Sequence, residues 1–138
     1  MEPKEHVFTV KKGVLTRYDG PGGDVAVPGG IEKIGKWSFS GHAGLASVSI
    51  PEGVAGIGEC AFHDCARLER VRIPEGAAGI GSGAFYGCKC LKDVYVPASV
   101  ARIGKCAFEK CPALTIYAPA GSRAERYAAE NDIRFEAV

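Results

Sequence analysis

Long apolar runs are missing from this 138-residue chain; none approaches the roughly 18 residues that a membrane-spanning helix needs. Net charge is missing too. With 17 basic against 16 acidic groups the balance is +1, which removes the electrostatic case for nucleic acid or an anionic membrane. No run of like charges is long enough to act as an interaction tail. The opening Met1-Glu2-Pro3-Lys4-Glu5-His6 has neither the basic nor the apolar region of a signal peptide, so the chain is either cytoplasmic as it stands or shorn of a leader.

Catalytic signatures are equally scarce. The sequence contains no HExxH, GxSxG, P-loop or dinucleotide fingerprint, and His6, His42 and His63 are scattered. His63-Asp64-Cys65 sets a base, an acid and a thiol side by side, but consecutive residues on a turn point different ways. Asp19-Gly20-Pro21-Gly22-Gly23 is followed by neither a helix nor a Lys-Ser/Thr step, so it breaks regular structure and does not cradle a phosphate. The expectation is no enzyme, no cofactor and no metal.

What the chain does have is a period. Proline recurs at 28, 51, 74 and 97, and the pair Ile-Gly at 34–35, 57–58, 80–81 and 103–104. Phenylalanine recurs at 39, 62, 85 and 108, and leucine at 45, 68, 91 and 114. A fixed 23-residue step is the mark of a solenoid, and the 19 glycines sit at set places in it. Within one copy, Leu68-Glu69-Arg70-Val71-Arg72-Ile73 alternates like a half-buried strand, with Val71 and Ile73 inward and both arginines outward. Pro74 ends it. In the copy that begins at Pro51, Val54 and Ile57 follow at three-residue steps, Gly58 turns the chain, and Ala61 and Phe62 plug the interior. Cys65 and Leu68 then lead into the next strand. Stacking would set equivalent strands about 4.7–4.9 Å apart in a parallel sheet, phenylalanine over phenylalanine. One coil has no partner for its apolar face; four do.

These spacings, clearest in 50–72 and 96–117, resemble the BspA-type leucine-rich repeat over residues 24–119. The resemblance implies a mainly β, right-handed solenoid. Each coil would carry one main strand and a short second extended or turn segment. It also implies a non-enzymatic role in recognition or adhesion, often in bacterial or protist proteins that are surface-borne or secreted. Some positions depart from the pattern: Ser38 stands for the alanine and His42 for the cysteine of the first copy, and Ala77 for the valine of the third. The segment Leu114–Pro119 is one residue shorter than its predecessors.

One domain, 1–138, is expected, divided into an N-terminal cap (1–23), repeats (24–119) and a C-terminal cap (120–138). In the first cap, Phe8–Val10 and Val14–Tyr18 flank Lys11-Lys12-Gly13 as a hairpin that lids the array. The first repeat strand is read as Asp24–Val27. In the second cap, Ser122 and Glu125 form a capping box for a helix to about Glu130, with Ala124, Tyr127 and Ala128 on its inner face. Asn131-Asp132 ends it, and Ile133-Arg134-Phe135 alternates as a closing strand.

Of the six cysteines, Cys65, Cys88 and Cys111 share one repeat position and form an inward column. Cys60 and Cys106 share another with Trp37 and Gly83, and Cys90 has no counterpart. A zinc site across the Cys-x4-Cys pairs 60/65 and 106/111 is disfavoured. The spacing is a product of the repeat, and two coils separate the pairs by roughly 10 Å. Free buried thiols are expected, with disulfides between adjacent coils as the alternative.

Function is expected on the outward side of the main strands. In repeat register this face holds Asp24 and Ala26, Ser47 and Ser49, Arg70 and Arg72, Asp93 and Tyr95, then Thr115 and Tyr117. Ser47 to Tyr117 are the candidate binding residues for a protein or glycan, since solenoid sheets offer such faces and arginine and tyrosine dominate interface energetics. An internal reading competes: Arg70 pairs with Asp93, and Arg72 stacks on Tyr95. The alternative function is a structural spacer or a fragment of a longer cell-surface repeat protein. Neither reading requires nucleic acid or membrane insertion, and either suits a monomer or weak homo-oligomer.

Overall fold

Each 23-residue copy closes one turn of a coil with a strand on two of its sides. The computed structural model describes residues 7–138; Met1–His6 lie outside the described residues. The chain runs β1 (Phe8–Lys11), β2 (Val14–Tyr18), β3 (Gly23–Ala26), β4 (Lys33–Ile34), β5 (Leu45–Ser49), β6 (Gly56–Ile57) and β7 (Arg70–Arg72). It continues through β8 (Gly79–Ile80), β9 (Asp93–Tyr95), β10 (Arg102–Ile103), β11 (Thr115–Ala118), α1 (Arg123–Glu130) and β12 (Arg134–Ala137). The main sheet, in the order β3-β5-β7-β9-β11-β12, is parallel throughout. The second sheet, β2-β4-β6-β8-β10, is also parallel, with β1 added antiparallel to β2. The short second segment of each coil is therefore a true two-residue strand.

The recurring residues are the inner wall. Val25, Val48, Val71, Val94 and Ile116 align strand to strand in the main sheet, and Leu15, Ile34, Ile57, Ile80 and Ile103 do so in the second. All ten are buried. The four phenylalanines stack with centroids 4.9, 5.1 and 5.2 Å apart and planes within 13° of parallel, a pitch close to the spacing of strands in a sheet. Beside them, the thiols of Cys65, Cys88 and Cys111 donate to the carbonyls of Phe39, Phe62 and Phe85, one coil back, at 3.1, 3.2 and 3.1 Å. The column is therefore a hydrogen-bonded ladder that satisfies buried carbonyls. In the first copy His42 takes over this position, its Nε2 2.9 Å from the Gly20 carbonyl oxygen.

The turn before each phenylalanine needs a left-handed backbone. Trp37, Cys60, Gly83 and Cys106 have φ of 61, 54, 64 and 61°, a region where a side chain costs energy and glycine does not. Glycine occupies it in one copy of four, so this requirement is nearly invisible in the sequence.

A tyrosine closes each end of the stack. Tyr18 from β2 stacks on Phe39 at 5.0 Å, and its N–H donates to the Ser38 carbonyl at 2.9 Å. Tyr127 from α1 meets Phe108 edge-on at 6.0 Å, and its Oη receives the Phe108 N–H at 3.4 Å. In earlier coils the phenylalanine N–H donates to the next coil: Phe85 to the Ala107 carbonyl, for instance, at 2.7 Å. Ser122 caps α1 by accepting the Glu125 N–H at 3.3 Å, while the Glu125 carboxylate reaches back one residue further than a standard box, to the Gly121 N–H at 2.7 Å. Ala124, Tyr127 and Ala128 are the buried face of the helix, as expected.

Several details differ from the sequence reading. The hairpin extends the second sheet, so among the described residues the outer edge of β3 in the main sheet is unpaired. The first repeat strand is Gly23–Ala26, one residue earlier than Asp24–Val27. Strand pairing in the third coil is confined to Arg70–Arg72. The shortened Leu114–Pro119 segment carries a four-residue strand, longer than β7 or β9, because β12 pairs along its other edge.

Ser38 stands where the other copies have alanine, and its buried hydroxyl has no hydrogen-bond partner among the described residues. Ser38→Ala is therefore expected to raise stability by about 1 kcal/mol, read as a higher midpoint in thermal unfolding. An unchanged or lower midpoint would show that the hydroxyl is satisfied.

Candidate functional site

Outward residues of the main sheet fall into two rows across its strands. One row is Asp24, Ser47, Arg70, Asp93, Thr115 and Arg134; the other runs from Ala26 and Ser49 through Arg72, Tyr95 and Tyr117 to Glu136. All eight candidate residues thus share one face. Seven of them, together with Val48, Ile50 and Val71, line a shallow groove of about 370 Å³ over β5, β7, β9 and β11; Thr115 lies outside it. The sequence reading missed Arg134 and Glu136. Their signal was the Ile133-Arg134-Phe135 alternation, which showed a strand but not which neighbour it would pair with.

Polar groups on this face hold one another in place. Arg70 Nε lies 3.7 Å from an Asp93 carboxylate oxygen, an exposed pair worth roughly 0–1 kcal/mol. Ser47 donates to Asp24 at 2.7 Å. The Arg72 guanidinium lies 4.3 Å from the Tyr95 ring centroid, and the Tyr95 hydroxyl donates to Glu75 at 3.0 Å. Desolvation and then the Glu75 hydrogen bond push the Tyr95 phenol up, and Asp93 does the same to the Tyr117 phenol beside it. Both tyrosines therefore stay neutral hydrogen-bond donors at physiological pH. The internal pairs anticipated from sequence are both present. Neither consumes the charge of Arg72, which has no carboxylate within 4 Å among the described residues.

Residues 23–131 match the model of the BspA type leucine rich repeat region, in six copies. The chain belongs to the BspA-type leucine-rich repeat family. Among solved structures, the BspA-type chain is similar to a leucine-rich repeat protein from Bacteroides ovatus, at 29% identity and a TM-score of 0.72, over 83% of this chain and 30% of that one. It also resembles a leucine rich cell surface protein from Faecalibacterium prausnitzii, at 31% identity and a TM-score of 0.58, over 83% of this chain and 37% of that one. A third relative is the leucine-rich repeat protein of T. pallidum, at 27% identity and a TM-score of 0.60, over 85% and 71% of the two chains. The chain spans about a third of the length of the first two. No curated protein matches it.

Other chemistry in the BspA-type coil is limited. Among the described residues no three His, Cys, Asp or Glu side chains gather as a metal site, and no helix is long and apolar enough to cross a membrane. His63 Nδ1 lies 3.2 Å from the Asp64 carboxylate, but Cys65 is fully buried and donates to the Phe39 carbonyl. The tripeptide therefore presents no nucleophile.

All six thiols are unpaired, but burial is confined to Cys65, Cys88 and Cys111; Cys60 is half-buried, and Cys90 and Cys106 are exposed. The expectation of buried thiols is thus corrected for three of the six: the left-handed turn points Cys60 and Cys106 away from the core, and Cys90 lies on an exposed turn. Burial pushes Cys65 up to about 12, and the neighbouring Cys111 together with burial raises Cys88. A thiolate is the reactive form, so in the native protein a maleimide should label Cys90 fastest. Cys106 should follow more slowly, held protonated by Glu109, and the column only on unfolding. Fewer than six thiols in denaturant without reductant would contradict this picture.

Proposed function

We propose that the protein is a non-enzymatic binding or adhesion module that recognises a protein or glycan through the outer face of the main sheet. Ser47, Ser49, Arg70, Arg72, Asp93, Tyr95, Thr115 and Tyr117 make the contact, flanked by Arg134. The observation that carries this reading is Arg72: a guanidinium 4.3 Å over the Tyr95 ring in a groove, with no carboxylate within 4 Å among the described residues. Its planar fork is preorganised for a carboxylate or a hydroxyl-rich ligand. The whole of 1–138 then acts as a single repeat unit with caps at 1–23 and 120–138, as a monomer or weak homo-oligomer. The F. prausnitzii relative, described as a cell surface protein, supports placing this chain at a cell surface.

A spacer role within a longer surface protein is the second reading, favoured by the greater length of the first two relatives. The test is a panel of immobilised glycans and surface proteins, followed by amide chemical-shift mapping with any ligand found. Shifts concentrated in β7, β9 and β11 are expected. Shifts confined to the coil ends or to the second sheet would overturn the assignment of this face, and a panel with no binder would favour the spacer.

A further inference from the structure

Tyr127 and α1 close the C-terminal end of the core, but the main sheet continues past them to β12. Nothing pairs along the outer edge of β12 among the described residues. The direction of its backbone groups follows from one bond. The Val138 N–H donates to the Ala118 carbonyl of β11 at 3.1 Å, and backbone groups in a parallel strand turn to alternate sides residue by residue. Arg134 and Glu136 therefore turn theirs toward β11, while Phe135 and Ala137 turn their N–H and C=O groups to the open edge. The Ile133 carbonyl follows the same alternation; its N–H already donates to the Ala128 carbonyl at 2.9 Å.

Side chains mark the same edge. Phe135 is half-buried, although Ile116, beside it in β11, is fully buried. Arg134 and Glu136 are exposed, and neither has an ion-pair partner within 4 Å among the described residues. Charge on an edge strand ordinarily discourages a second strand, but here the outcome depends on register. In an antiparallel pair of identical strands, open backbone groups meet only if the two-fold axis passes through a residue. Centred on Arg134 or Glu136, the axis sets like charges opposite each other, and centred on Ala137 it leaves Arg134 beyond the overlap. Centred on Phe135, it sets each Arg134 across from Glu136 of the other copy.

We propose that two copies of this chain dimerise through β12, antiparallel and about a two-fold axis at Phe135. Phe135 exchanges both backbone bonds with its counterpart, and the Ala137 N–H reaches the Ile133 carbonyl of the second copy. Arg134 and Glu136 then form the pairs without backbone bonds, with Cα atoms about 4.5 Å apart and opposite charges adjacent. The two phenylalanine rings meet on the inner side and cover each other's exposed edges. Such a contact is isologous, so it closes at two copies. Head-to-tail pairing of β12 with β3 fits less well, because the β1–β2 hairpin carries the second sheet past β3 and would meet α1 of the other copy.

Sedimentation equilibrium from the micromolar range to about 1 mM is expected to show a reversible monomer–dimer equilibrium and nothing larger. Arg134→Glu and Glu136→Arg should each weaken the dimer roughly tenfold, because each sets like charges opposite at two symmetric places. Combining them restores opposite charges, so the double exchange should dimerise about as well as wild type. Asp24→Lys, on β3, should leave the equilibrium unchanged. Unfolding midpoints of the variants verify that each is folded. A monomer across the whole range would overturn the proposal, as would a double exchange that dimerises no better than the single variants. Species larger than a dimer that are lost with Asp24→Lys would also overturn it, in favour of head-to-tail stacking through β3.

Discussion

Phe85→Ala is expected to be the most damaging single truncation, costing about 3–5 kcal/mol. The ring is fully buried and stacks on both neighbours, Phe62 at 5.1 Å and Phe108 at 5.2 Å, with planes 3° and 2° from parallel. Its removal opens a cavity in mid-array, and neighbours pinned by backbone ladders on both sides cannot collapse into it. Aromatic stacking on two faces adds to the transfer cost. A domain holds roughly 5–15 kcal/mol in all, so the variant would lose a large part of its stability and its midpoint would fall by roughly 10–20 °C. Thermal or denaturant unfolding checks this. A loss no greater than that of an exposed control such as Glu52→Ala would show that the phenylalanine column is not the core of the coil.

Gly81→Ala is expected to cost roughly 3 kcal/mol, at the upper end of the overpacking range, for a different reason. A Cβ there would sit 2.6 Å from the Glu59 nitrogen and 2.7 Å from the Gly58 carbonyl carbon. Both are backbone atoms of the preceding coil, so no rotamer change relieves the contact. The third coil would have to lift off the second, stretching the 2.8 Å bond from the Gly81 N–H to the Ile57 carbonyl. Two residues earlier, Gly79→Ala provides the control. Its nearest neighbour would be an Arg102 guanidinium nitrogen at 3.6 Å, an ordinary contact, and alanine there should be neutral or stabilising by about 0.4–1 kcal/mol through the unfolded chain. Equal losses for the two variants in denaturant unfolding would refute the close-approach explanation of the recurring Ile-Gly pair.

The contrast between these two glycines shows what was legible in the sequence. Positions that contact their own copies one coil away recur, so Phe62, Gly58, Cys65 and Val71 announced the coil, its parallel sheet and its buried column. The eight candidate residues were legible as one face for the same reason, because strand alternation combined with a fixed period sets the register. What did not recur was hidden. β12 follows a helix, and Phe135 lies beside Ile116 at a sequence distance unrelated to the period. Arg134 and Glu136 therefore could not be assigned to the face. The Phe8–Tyr18 hairpin was visible as a hairpin, but alternation does not say which of two sheets it extends. The left-handed turn was masked by Trp37, Cys60 and Cys106, which hold a glycine's conformation, so their outward direction, and with it the exposure of Cys106 and Trp37, went unseen.

Residues repeated between coils build the solenoid, whereas the unrepeated residues on its main sheet are proposed to carry recognition. The most direct test compares wild type with the double variant Arg72→Ala plus Tyr95→Ala in two readings, the unfolding midpoint and the affinity for a ligand captured by the wild-type protein. The prediction is a nearly unchanged midpoint, since both residues lie on the outer, solvent-facing side of the sheet, together with a roughly tenfold or greater loss of affinity. Intact affinity in the double variant would contradict the claim.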